Sequence, residues 1–222
     1  MENVIIFGVS MTAATILDGV INSGCSKEYN IIGFLDDSPE KQGKEYFGYK
    51  VLGHFNDVEM VRNKFNITTF LIGLADHRHM MIRDRVFRKC MSLGLKPGES
   101  IHRNANILKS ANLQQGAFIM PNVYIGVNVS VGVNSSIHVG VSILEDVKIG
   151  NNVLIAGNTF VGGFAKIGDN VYIGPGCTIA SGVEIESNTL VGAGSLVLKK
   201  LPSNVAAYGN PISLVKQNTF YI

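Results

Sequence analysis

The chain has no tryptophan, three cysteines, six prolines and a charged fraction of only 16% over 222 residues. So little charge excludes a disordered chain and a coiled coil, both of which are rich in it. The formal net charge of +2 leaves no electrostatic footprint for a polyanion, so nucleic acid is not an expected partner. Cys25, Cys90 and Cys177 are odd in number and far apart. They form neither a disulfide framework nor a metal-ligand spacing, which fits a reducing cytoplasm and no bound metal. Asn, Gly, Ser and Pro interrupt every apolar run before it reaches the roughly 18 residues of a membrane helix. The start, Met1-Glu2-Asn3-Val4, has no basic stretch and does not read as a signal peptide. What is abundant is glycine, 25 residues, beside an apolar share of 46%. Glycine-rich β-structure that buries much of its chain accounts for both, and the length suits one large domain or two small ones.

A repeat fills the second half. Every sixth residue from Ile101 to Val197 is Ile, Val or Leu, with no slip of register. Two residues before each anchor, from Val123 on, the chain is small or β-branched: Val129, Ser135, Val141, Thr159, Ala165, Cys177. The residue after the anchor is often glycine, as at Gly126, Gly132, Gly150, Gly162 and Gly174, and Asn151-Asn152 and Asp169-Asn170 punctuate the series. Six is a multiple of the strand period of two, so all anchors point to one face. Short strands joined by tight turns then coil into a parallel β-helix with the aliphatic anchors stacked inside. Its corners need small residues at positive φ, which is what Gly, Asn and Asp supply.

The close of the repeat runs Val191-Gly192-Ala193-Gly194-Ser195-Leu196-Val197-Leu198-Lys199-Lys200-Leu201-Pro202, followed by Gly209-Asn210-Pro211. It resembles the last coil and exit of the hexapeptide-repeat acyltransferases, and the resemblance implies a left-handed β-helix.

The first half reads differently. Val4-Ile5-Ile6-Phe7-Gly8 and Asn30-Ile31-Ile32-Gly33-Phe34-Leu35 are strand runs, and Thr68 to Ile72 is a third. Helices are expected around Ala13 to Val20, with Ile16, Val20 and Ile21 on one face, and over His79 to Leu93. There Ile82, Val86, Cys90 and Leu93 make a stripe and Gly94 a stop. Alternating strands and helices indicate a parallel sheet of βαβ units. The expected division is an α/β, Rossmann-like parallel-sheet domain over 1–97, a β-helix over 98–211 and a tail over 212–222.

Ligands of such a sheet sit beyond the carboxyl ends of its strands, where Gly8-Val9-Ser10-Met11-Thr12, Asp36-Asp37 and Gly73 fall. This half is similar to the N-terminal domain of bacterial nucleotide-sugar N-acetyltransferases of the sialic-acid O-acetyltransferase-like family. With the β-helix, the resemblance spans nearly the whole chain. It implies that Gly8, Ser10, Met11 and Thr12 face the diphosphate of a nucleotide-linked amino sugar and that Asp36 and Asp37 contact the nucleoside, with Gly73 beside them. The loop departs from the family's glycine-rich form, since Ser10-Met11-Thr12-Ala13 replaces it. It also implies acetyl-CoA as donor, with contacts at Leu154, Gly163, Pro175 and Ala193, and a homotrimer that covers outward residues such as Phe118, Tyr124 and Phe160.

Acyl transfer to an amine needs a base for the ammonium and an N–H for the oxyanion. The family's histidine segment maps onto Leu144-Glu145-Asp146, which puts Glu145 where the base is expected; a second family histidine maps onto Leu154. Three readings follow. His138, seven residues earlier, is the base, oriented by Glu145 or Asp146, and its ordinary titration near about 6.5 suits the task. Alternatively Glu145 is the base, favoured by burial. Or the site relies on substrate alignment alone or has lost catalysis. His77 and His79 read as solvated or near the nucleotide mouth, and His54 and His102 as lying at domain edges. The function expected is transfer of acetyl from acetyl-CoA to the amine of a nucleoside-diphosphate amino sugar in surface-glycan biosynthesis. The alternatives are a sugar O-acetyltransferase and a non-catalytic nucleotide-sugar binder.

Overall fold

The computed structural model describes residues 1–18 and 29–219. Two compact units, Met1–Arg103 and Asn104–Ile222, make up the chain.

The first unit is a four-stranded parallel sheet. Strands β1 (Glu2–Phe7), β2 (Tyr29–Leu35), β3 (Thr69–Ile72) and β4 (Lys96–Pro97) lie in the order β2-β1-β3-β4. β1 is the central, most apolar run, and Val4 to Phe7 are buried on both faces. Helix α1 (Met11–Leu17) follows β1, α2 (Val58–Phe65) precedes β3, and α3 (Met80–Ser92) joins β3 to β4. A two-stranded hairpin, Glu45–Tyr46 with Tyr49–Lys50, was not legible as an element in the sequence.

Helix α1 ends its regular part at Leu17, while Val20, Ile21 and Cys25 lie outside the described residues. Helix α3 starts one residue later than expected and its buried stripe is rotated. Met80, Arg83, Val86, Phe87 and Cys90 face the core, whereas Ile82 and Leu93 are only half-buried. The rotation brings in Arg83, whose guanidinium Nη1 donates to the Leu74 carbonyl at 2.8 Å. A charged group is tolerated there because that bond replaces water, yet burial still lowers its pKa to about 10. Burial also pushes the Cys90 thiol up to about 12. Gly94 follows the helix at φ +75, the left-handed stop its position implies.

The second unit is a parallel β-helix. Strands pair in parallel with those 18 residues on, Phe118 with Ser136, Tyr124 with Ser142 and Ser130 with Lys148, so three strands complete one coil. From Ile119 to Val197 every sixth-residue anchor is buried; Ile107 and Leu113, in the first coil, are half-buried. The residues two before the anchors, Val123 to Ser195, are buried as well, so each coil contributes two interior layers. Ser135, Thr159 and Cys177 sit inside because their polar atoms donate to the Gly150, Gly174 and Gly192 carbonyls.

Positive φ falls three residues after each anchor, at every sixth position from Gly116 to Gly194. The glycines directly after the anchors therefore have a different cause from the one expected. None of Gly126, Gly132, Gly150, Gly162 or Gly174 has positive φ. Instead a Cβ at Gly132 would collide with the Gly150 carbonyl, and one at Gly126 with the Leu144 backbone: at these positions the neighbouring coil comes too close for a side chain. One corner carries an asparagine ladder. The Asn134 amide donates to Asn152, Asn152 to Asn170, Asn170 to Asn188 and Asn188 to Asn204, at 2.9–3.1 Å.

The outward residues differ from face to face. Phe118, Ser136, Leu154 and Leu190 are buried within the chain, so Phe118 needs no partner to cover it. The next face leaves Phe160 exposed and Tyr124 and Leu196 half-buried. The coil ends in an antiparallel pair, Val205–Gly209 with Ile212–Gln217, so the residues from 212 continue the sheet.

Candidate functional sites

Three loops after β1, β2 and β3 enclose a cavity of about 320 Å³ in the first unit. Ser10, Thr12, Asp36, Asp37 and Gly73 line it, joined by Lys41, Asp76 and His79. Gly8 and Met11 do not. Gly8 turns the chain at φ +88, where a Cβ would meet Leu74, and Met11 points to solvent with 77% exposure. The cavity lies where β1 and β3 separate the loops of the sheet, the usual ligand crevice of this architecture.

Asp36 is a clamp rather than a free carboxylate. It is 5% exposed and accepts from the Val9 N–H at 2.7 Å, the Ser38 N–H at 2.9 Å and Lys41 Nζ at 3.0 Å. Burial works to raise its pKa, but these bonds outweigh it and hold the carboxyl below its ordinary value. Lys41 also donates to the Val9 carbonyl at 3.0 Å, which locks the loop after β1 to the loop after β2. Ser10 caps α1: its hydroxyl accepts from the Ala13 N–H at 3.1 Å and donates to the Gly73 carbonyl. Asp37 is half-occupied, with Oδ1 accepting from the Phe55 N–H at 2.8 Å. Asp76 accepts from Arg78 Nη2 at 2.7 Å and lies 3.1 Å from His77 Nδ1. The Arg78 hydrogen bond, working against partial burial, takes its pKa to about 2. Two of the three carboxylates are thus neutralised by cations, which leaves the Thr12 hydroxyl, the Asp37 carboxylate and His79 to face a ligand.

The second unit places His138, Glu145 and Asp146 in one coil but on two successive corners. His138 directly follows the Ile137 anchor and packs edge-on to Phe118, ring centroids 6.2 Å apart. Glu145 and Asp146 turn the next corner, after Ile143. Asp146 is the left-handed residue of that corner at φ +55, and its Oδ1 accepts from Asn128 Nδ2 at 3.2 Å. Glu145 is exposed, not buried as a carboxylate base was expected to be. Its carboxylate lies across Gly163, one coil on, where a Cβ would collide with Oε1.

Gly163 is buried, and its N–H donates to no acceptor among the described residues. At another corner of the coil the equivalent N–H groups of Val133, Asn151 and Asp169 are capped by Asn151, Asp169 and Ser187. No sequence signal marks the difference, which depends on the residue the following coil lays over each N–H. Among the other expected donor contacts, Pro175 and Ala193 are exposed, while Leu154 is buried between Ser136 and Tyr172 on its sheet.

Two family descriptions fit this unit. Residues 122–156 match the hexapeptide repeat of succinyl-transferase, and residues 164–199 match the bacterial transferase hexapeptide of six repeats. Both matches fall within the second unit and on its six-residue register. A search of curated proteins gives no match. Among solved structures, PerB from Caulobacter crescentus, in complex with CoA and GDP-perosamine, superposes with TM-score 0.85 at 24% identity over 97% of this chain and 98% of its own. A histidine-to-alanine mutant of GDP-perosamine N-acetyltransferase from the same organism gives 0.86 at 23%, over 97% of both chains. The acetyltransferase domain of PglB from Neisseria gonorrhoeae, in complex with acetyl coenzyme A, gives 0.82 at 20%, over 96% and 98%. At these identities the likeness establishes the fold, and it spans the parallel-sheet unit as well as the hexapeptide coils.

Proposed function

We propose that the chain is an acyltransferase that moves acetyl from acetyl-CoA to the amine of a nucleoside-diphosphate amino sugar, for surface-glycan biosynthesis. The observation that carries this reading is the corner at Glu145 and Gly163, where a carboxylate lies across a glycine whose N–H has no acceptor among the described residues. Acyl transfer from a thioester needs those two groups side by side. The relatives in fold whose structures hold CoA and GDP-perosamine, or acetyl coenzyme A, support the choice of substrates.

In this mechanism Glu145 swings off Gly163 as the donor enters, and the thioester carbonyl oxygen takes its place at the N–H. Glu145 accepts a proton from the sugar ammonium, and the freed amine attacks the carbonyl carbon. The C–N bond forms, the carbon–sulfur bond breaks, and the departing CoA thiolate takes the proton held by the carboxyl; the freed Glu145 carboxylate then accepts the second proton from the acylated nitrogen and releases it to solvent. Asp146 holds the corner in its left-handed turn and so fixes Glu145 at its neighbouring position. In the first unit, read as Rossmann-like, the cavity takes the nucleoside diphosphate. Thr12 and His79 face the phosphates and Asp37 the nucleoside, with Asp36 and Lys41 holding the loops. The coil is read as left-handed and the protein as a cytoplasmic homotrimer whose contact face carries Tyr124, Phe160 and Leu196.

Acetyl-CoA consumption against a panel of UDP-, GDP- and dTDP-linked amino sugars tests the reaction. Glu145→Gln is expected to lower kcat by roughly 10², and His138→Ala to leave it within a few-fold. The reverse pattern moves the base to His138. A wild-type protein that binds nucleotide sugar but no CoA in calorimetry is a binder and not a transferase.

A further inference from the structure

The corner positions of the β-helix obey one rule with one exception. At every sixth residue from Gly116 to Gly194 φ is positive, and the residue is Gly, Asn or Asp everywhere except Phe164, at φ +63. A bulky aromatic is a true outlier in this region because its Cβ crowds the backbone. Phe47 shares the conformation, but it turns a hairpin and its ring packs on Phe34, centroids 6.3 Å apart. Phe164 has no ring contact among the described residues and is 58% exposed. The fold thus bears the conformational cost of Phe164 while leaving more than half of its surface open.

Its position gives it a use. The Phe164 N–H donates to the Glu145 carbonyl at 2.9 Å, and the residue before it is Gly163. Along this coil edge position 164 follows Asp146 by one coil and precedes Gly182, where a Cβ would meet nothing within 4 Å. An aromatic surface therefore stands in the open beside the corner where the Glu145 carboxylate lies across Gly163.

We propose that Phe164 is a donor-specificity residue that packs against the pantetheine arm of acyl-CoA and so seats the thioester at Gly163. This rests on the acyl-transfer reading above. The extended, largely apolar arm of CoA suits an aromatic face that the protein leaves bare. A second copy of the chain is a poorer occupant, since Tyr124, Phe160 and Leu196 on the flat sheet face offer it a broader apolar contact.

The test compares wild type with Phe164→Asn, which suits the left-handed corner, and Phe164→Tyr, which keeps the ring. For Phe164→Asn the thermal midpoint is expected to rise by about 2–4 °C. CoA affinity by calorimetry and the KM for acetyl-CoA are expected to weaken roughly tenfold. kcat at saturating donor and the KM for the amino sugar should hold, and Phe164→Tyr should restore CoA affinity. A raised midpoint with unchanged CoA affinity overturns the proposal, as does a lowered midpoint with loss of the native oligomer, which would assign Phe164 to a contact between copies. A wild type that binds no CoA overturns the acyl-transfer reading itself, and this inference with it.

Discussion

The asparagine ladder allows backbone strain and side-chain hydrogen bonding to be separated at a single residue. Asn152 is buried, sits at φ +52, accepts from Asn134 Nδ2 at 3.0 Å and donates to Asn170 Oδ1 at 2.9 Å. Asn152→Ala removes both bonds and places a Cβ residue without asparagine's local tolerance in the left-handed region. The two bonds contribute about 1 kcal/mol each and the conformation about 1 kcal/mol more, so a loss of about 3 kcal/mol is expected, or roughly 6–12 °C in thermal midpoint. Asn152→Gly removes the bonds but adopts the corner freely, so its expected loss is about 2 kcal/mol. Urea unfolding followed by circular dichroism gives both values. A glycine variant less stable than the alanine variant refutes the argument from φ, and a glycine variant as stable as wild type refutes the argument from the ladder.

Three further outcomes follow from the geometry. Asp36→Asn should loosen the loops after β1 and β2 together, weakening nucleotide-sugar affinity while CoA affinity is kept; calorimetry with both ligands reads the split. Asp36 and Asp76 have folded pKa values below the ordinary carboxylate value of 3.8, near 2 for Asp76. Their contribution to stability is therefore present above about pH 4 and lost as pH falls toward 2. A thermal midpoint that does not fall across that window contradicts the assignment. In a Cys25→Ser background, Cys90 and Cys177, both buried and both with raised thiol pKa, should resist a thiol reagent at pH 8 until denaturant is added.

What could be read from the sequence was local. The sixfold register needs only the spacing of Ile119, Ile125 and Val131 to declare itself, and the corner asparagines need only their own αL tolerance. The glycines after the anchors were given the wrong cause because the clash at Gly132 is with Gly150, a residue 18 positions away. Arg83 was missed in the α3 stripe for the same kind of reason: its place inside depends on the Leu74 carbonyl, which no helical pattern reveals. At the candidate sites the residue types were legible and their availability was not. Asp36 looked like a ligand group, but the Val9 and Ser38 N–H groups and Lys41 already occupy it. The two positions read as candidate bases, His138 and Glu145, stand on successive corners of the coil, after Ile137 and Ile143. Gly163 was expected as a donor contact, and what no spacing revealed is that the Glu145 carboxylate, one coil back, lies across it.

The hairpin that ends the β-helix also changes the edge that one face of the coil presents. A stack of parallel coils closes with bare N–H and C=O groups, and the next molecule could dock on them and extend the stack indefinitely. Here Val205–Gly209 continues the ladder on Leu190–Val191, and the chain then doubles back through Ile212–Gln217, reversing strand direction. Leu201 covers Ile185 on a neighbouring face, and the Asn218 amide fastens to the Asn188 carbonyl. On this one face the last strand runs antiparallel to the coils, so the stack does not end there in the parallel strand that a further coil would continue.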